Sequence, residues 1–77
     1  MKITGGRNYV KFDMENGYIM RAEGEMLLGK KFVVYKDTMQ TWEVPHEKEV
    51  ISEEQKEKII QEVMNNMNEN TVQIIFE

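Results

Sequence analysis

Apolar and polar positions begin to alternate at Val10. Val10, Phe12 and Met14 are interleaved with Lys11 and Asp13, and beyond Asn16-Gly17 the pattern resumes as Tyr18, Met20 and Ala22 between Ile19, Arg21 and Glu23. A period of two marks half-buried strands, and Asn-Gly between two such runs marks a hairpin. A two-residue loop would set Phe12 opposite Arg21 and Met14 opposite Ile19, which mixes the faces. A three-residue loop, Glu15-Asn16-Gly17, pairs Met14 with Tyr18, Phe12 with Met20 and Val10 with Ala22. That register keeps one face apolar and puts Gly17 at the left-handed position closing a type I turn with a G1 bulge.

The second strand continues through Gly24 toward Met26 and Leu28. Gly29 then turns the chain into KFVVYKDTM, read as another strand from its aromatic and β-branched content. Phe32, Val33, Val34 and Tyr35 leave little polar alternation, which predicts a central strand or one covered on both faces. Gly24 predicts a bulge, or a site where a cross-strand aromatic lies over bare backbone. In TWEVPHEKEVI, Pro45 lacks a backbone donor, so the segment is an edge strand or an extended loop.

Helical periodicity replaces alternation after Ser52. Ser52 and Gln55 have the capping-box spacing, Glu53 and Glu54 suit the positive end of the helix dipole, and Ile59, Ile60, Val63, Met64 and Met67 form one apolar stripe. Glu54, Lys58, Gln61, Glu62 and Asn65 fall on the opposite side. The spacing predicts a helix from about Glu53 to Met67, ended by Asn68 to Asn70, with Met64 and Met67 as core filling. Val72, Ile74 and Phe76 then alternate as a last strand. One helix covers only one face of a sheet, so the expected fold is a two-layer α+β domain spanning residues 1–77. Its sheet has about five strands, mostly antiparallel, with the helix of the C-terminal half packed on one face.

Composition narrows the chemistry. A chain of 77 residues buries only roughly 60 to 65% of the surface that its unfolded form exposes. There is no Cys, hence no disulfide, thiolate metal site or thiol nucleophile. No apolar run approaches the roughly 20 residues that span a bilayer, and MKITGGRNYV lacks a signal-peptide core, so the expected location is the cytoplasm, away from membrane. Residues 1 to 36 carry seven Lys or Arg against four acids, while residues 37 to 77 carry three Lys against ten acids. Asp37, Glu43, Glu47, Glu49, Glu53, Glu54 and Glu57 face only Lys48 and Lys56 within the band from 37 to 57. Such a band repels phosphate; it suits solvation or a basic protein partner and argues against nucleic acid there.

No catalytic set emerges. His46 is the single His, and with no Cys it cannot supply the shell that zinc prefers, while the carboxylates lack the spacing of a calcium loop. Ser52 is accounted for by its cap, and no second His exists to activate a hydroxyl. Neither a cofactor nor a metal is implied, and the expectation is a protein that is not an enzyme. Arg7, Lys11, Arg21, Lys30, Lys31 and Lys36 with Tyr9, Tyr18 and Tyr35 could form a basic, aromatic sheet face for single-stranded nucleic acid. The acidic balance, with a pI near 5.0, keeps that reading second. Trp42 reads first as a plug at the end of the core, and also as a support that holds Glu43, Pro45, His46 and Glu47 in a fixed shape.

The opening K-I-T-G-x-R-x-Y, the stretch V-Y-K-D-T-M-Q-T-W-E-V-P-H-E, the helical E-K-I-I and the closing Q-I-I-F-E together resemble the immunity protein 74 family of bacterial polymorphic toxin systems. The resemblance implies a protein that binds and neutralises a cognate toxin inside the producing cell or its siblings, with its pattern centred on Trp42, Glu43 and Pro45. Joined to the acidic band, it makes Asp37, Trp42, Glu43, Pro45, Glu47 and Glu49 the expected partner-binding residues, and a basic protein toxin the expected partner.

Overall fold

The computed structural model of the protein describes residues 1–67 and 72–77. Five strands, β1 (Lys2–Gly5), β2 (Tyr9–Asp13), β3 (Ile19–Leu27), β4 (Lys31–Val34) and β5 (Gln73–Phe76), lie side by side in that order, with one helix, α1 (Glu53–Asn66), between β4 and β5. Pairing is antiparallel from β1 to β4 and parallel between β4 and β5. The parallel pair exists because the connection carries the helix, a crossover that antiparallel neighbours do not need. The result is the expected α+β arrangement, with a mixed, curled sheet.

The β2–β3 hairpin adopts the register that keeps one face apolar: Val10 pairs with Ala22 and Phe12 with Met20, and the Met14 N–H donates to the Tyr18 carbonyl (2.9 Å). Its loop differs from the expected turn. Gly17 has φ of +94°, as predicted, but Glu15 also has positive φ, at 62°, where a type I turn requires about −60°. Side chains replace the turn bond, since Asp13 Oδ1 accepts from the Glu15 N–H (2.8 Å) and Asn16 Oδ1 from the Tyr18 N–H (3.1 Å).

β3 serves two partners. Ile19 to Glu23 pair with β2, and Gly24 to Leu27 pair with β4. The change occurs at Gly24, where a Cβ would lie 2.6 Å from the Phe32 ring and closer still to the Val33 carbonyl. This is the aromatic over bare backbone that the glycine predicted. β4 is central, with Phe32, Val33 and Val34 all buried. It stops at Val34, short of the strand expected through Met39, because Lys36–Thr38 forms a 3-10 turn. Thr38 causes the stop: its hydroxyl donates to the Tyr35 carbonyl (2.6 Å) and accepts from the Glu23 N–H (2.9 Å).

Both halves of the capping box form at α1: Ser52 Oγ accepts from the Gln55 N–H (3.1 Å), and Gln55 Oε1 accepts from the Ser52 N–H (2.9 Å). Ile59 and Val63 are buried on the sheet, with Ile60 and Met67 packed at the margin. Met64 departs from the expected stripe. It is 51% exposed, because the helix meets the sheet over a seam too narrow to include it. The helix ends at Asn66 with Met67 as its cap, and the stop expected at Asn68 to Asn70 lies outside the described residues. The core joins Val10, Phe12, Met20, Ala22, Phe32, Val34 and Ile74 of the sheet to Met39, Trp42 and Ile51 of the connection and to the helix. Among the described residues, no helix is long and apolar enough to cross a membrane.

Candidate functional site

Between the 3-10 turn and α1 the chain makes no regular strand. Thr41 bridges Val50, Trp42 bridges Met20, and the Glu43 N–H donates to the Ile19 carbonyl (2.7 Å), so the segment lies along the margin of β3 before it loops out. This is the extended loop that Pro45 predicted; the Val44–Pro45 bond is cis. The period-two phase places Trp42 inward and its neighbours outward. Trp42 is 7% exposed and belongs to the core, beneath the loop rather than on its surface.

Above Trp42 the loop closes on the hairpin through Tyr18. The Tyr18 ring meets the indole edge-on with centroids 5.1 Å apart, and its other face stacks on the His46 imidazole at 3.7 Å and 14°. Glu49 joins both rings: Oε1 accepts from the Tyr18 hydroxyl (2.9 Å) and Oε2 from the His46 Nδ1–H (2.5 Å). The Tyr18 hydroxyl, then His46, holds the Glu49 carboxyl below its usual 4.5, and Glu49 in turn raises Tyr18 above 10.0. Two short turns, with the His46 N–H on the Glu43 carbonyl (2.9 Å) and the Glu49 N–H on the His46 carbonyl (3.0 Å), complete the loop.

The expected partner-binding residues are thus only partly brought together. Glu43, Pro45, Glu47 and Glu49 share the loop, Trp42 underlies it, and Asp37 stands on the 3-10 turn, meeting Glu43 only across a shallow depression that also holds Arg21 and Glu23. Two of the acids have internal partners: Glu43 pairs with Lys11 (3.1 Å), and Glu49 with Tyr18 and His46. Among the described residues, the carboxylates of Asp37 and Glu47 have no ion pair. On the helix, Glu53 and Glu54 lie near Lys56 and Lys58.

The loop also displays Val44 and Val50, 78% and 85% exposed, which charge-based reading passed over. Their signal was present only as two valines in a largely acidic segment. Beside Val50, a groove of about 420 Å³ runs between the hairpin tip and α1, lined by Tyr18, Trp42, Glu49, Lys58 and Glu62. The three tyrosines of the nucleic-acid reading do not act together. Tyr18 is taken by the loop, the Tyr35 hydroxyl donates to Glu25 (3.2 Å), and Tyr9 lies under Arg21 (5.0 Å). Tyr18 packs on the core face, while Glu23 and Glu25 share the outer face with Tyr9 and Tyr35, and carboxylates there oppose a phosphate backbone.

No curated protein and no solved structure matches this chain significantly. The model of one family does match, over residues 2–77, and with that span covering essentially every element described above the chain belongs to the immunity protein 74 family, a membership that supports an immunity role against a toxin.

Proposed function

We propose that the protein binds a cognate bacterial toxin through the loop of residues 43–50 and neutralises it stoichiometrically, without catalysis, in the cytoplasm of the cell that makes both. The observation that carries this reading is the construction of the loop. It has no strand pairing beyond the Thr41–Val50 bridge, yet it is fastened by one stacked ring pair and a carboxylate that accepts two hydrogen bonds. A fastened loop loses little conformational freedom on binding, which leaves more of the contact energy as affinity. What it presents is two exposed valines, Val44 and Val50, on a loop that also carries exposed Pro45 and Glu47, apolar and charged groups together. The acidic surroundings favour a basic toxin of a polymorphic toxin system and disfavour nucleic acid or membrane as the target.

The test is survival of cells that co-express the protein with the toxin encoded beside it. Val44→Asp with Val50→Asp should abolish protection while circular dichroism remains that of the parent, since neither side chain contributes to the core. Full protection by the folded double variant would move the interface off this loop.

A further inference from the structure

β1 is an edge strand, and its open side is defined by the ladder it makes with β2. The Gly6 N–H donates to the Tyr9 carbonyl (3.0 Å), and β1 and β2 are in register with Lys2 opposite Asp13 and Thr4 opposite Lys11. In an antiparallel pair, hydrogen-bonded and non-bonded positions alternate. Lys2, Thr4 and Gly6 therefore turn their amides toward β2, and Ile3 and Gly5 turn both N–H and C=O to the open edge. Natural edges are usually blunted by Lys, Pro or a bulge; this one has a single Lys, on the outer face, and no Pro.

The other face of the same edge is apolar. Ile3, opposite Phe12, is 42% exposed, and a hollow of about 370 Å³ runs from Gly5, Gly6 and Tyr9 to Met26 and Met67. The edge is also complementary to itself. If two β1 strands pair antiparallel about a two-fold axis at Thr4, Ile3 of each copy faces Gly5 of the other and exchanges both backbone bonds with it. Each isoleucine side chain then lies over the end of the partner's hollow, where Gly5 and Gly6 contribute none. On the outer face Thr4 meets its own copy, a pairing that strands accept. The two Lys2 side chains stand roughly 13 Å apart along the strands, beyond the Debye length of about 8 Å at physiological salt.

We propose that β1 is a self-association surface, and that a second copy of this chain adds its own β1 there to join the two sheets into one. An isologous contact of this kind closes on itself as a dimer. The backbone of the loop of residues 43–50 lies against β3 and not on the open edge of β1.

Sedimentation equilibrium on the full chain, from about 10 µM to about 1 mM, spans the range expected for so small a contact. The mass should rise from 9.2 kDa toward twice that value. Amide exchange followed by NMR over the same range should show Ile3 and Gly5 slowing as concentration rises, with Thr4 protected throughout. Ile3→Lys should weaken association at least tenfold, whereas Leu28→Lys, at an exposed turn outside this edge, should not. A constant monomer mass at 1 mM overturns the proposal, whether or not another protein uses the same edge. So does a dimer in which Ile3 and Gly5 still exchange freely, or one that a folded Ile3→Lys variant leaves intact. The exchange measurement needs no substitution and decides the matter even if Ile3→Lys does not fold.

Discussion

Tyr18, His46 and Glu49 set how firmly the loop is held, and the protonation of Glu49 and Tyr18 gives it a pH window. Glu49 is ionised more readily in the folded state than in the unfolded chain, because the Tyr18 hydroxyl and then His46 donate to it. Its contribution is therefore complete above the ordinary carboxylate value of 4.5 and is lost as pH falls through the lower folded value. Tyr18 has the opposite sign: its raised value means that the protonated phenol is favoured by folding, so its contribution is complete below 10.0 and is lost as pH rises past the folded value. Trp42, in edge contact with Tyr18, is a built-in reporter. Its emission should move red on acidification below pH 4.5, and Tyr18→Phe, which keeps the ring and removes the donor to Glu49, should shift that transition to higher pH. Coincident acid transitions in parent and variant would mean that Glu49 is not the group being titrated. None of this was legible in sequence. Pro45 announced a loop and the valines and acids stood in plain view, but Tyr18 and His46 are remote in the chain, and their stacking depends on β3 carrying Tyr18 to the place where Trp42 docks.

Elements were far more legible than contacts, and the reasons differ element by element. The hairpin register followed from keeping Phe12, Met20 and Ala22 on one face, a constraint that any buried sheet face imposes. The start of α1 followed from Ser52 and Gln55, whose side chains satisfy amides that the helix itself cannot. The end of β4 was missed because a strand propensity read over KFVVYKDTM takes no account of the Thr38 hydroxyl competing for the Tyr35 carbonyl. Met64 was misplaced because periodicity defines a stripe but not how wide a surface will cover it. That difference is measurable. Ile59→Ala should cost about 2 to 5 kcal/mol, the range for truncating a buried aliphatic side chain. Met64→Ala should stay within about 0.5 kcal/mol of the parent, as exposed positions do. Urea denaturation of the two variants distinguishes the assignments, and equal losses would show that α1 is rotated from the face described.

At the scale of the whole molecule, charge is divided along the chain, and the fold only partly undoes the division. Lys11 of the basic half reaches Glu43 of the acidic half, yet Glu47 on the loop remains unpaired among the described residues and Glu57 remains exposed on α1. If this side of the protein meets a basic toxin, long-range attraction should act on the encounter more than on the finished complex. Raising salt from about 0.05 to 0.5 M shortens the Debye length from roughly 14 to 4 Å, so association should slow markedly while dissociation changes little. Glu47→Lys is the informative substitution, because it reverses a charge that has no internal partner; Glu43→Lys would also set two ammonium groups together at Lys11 and confuse repulsion within the fold with repulsion at the interface. Surface plasmon resonance with the toxin should show the variant associating more slowly and with a shallower salt dependence than the parent. An association rate indifferent to both salt and Glu47→Lys would remove electrostatics from the recognition and leave Val44 and Val50 to account for it.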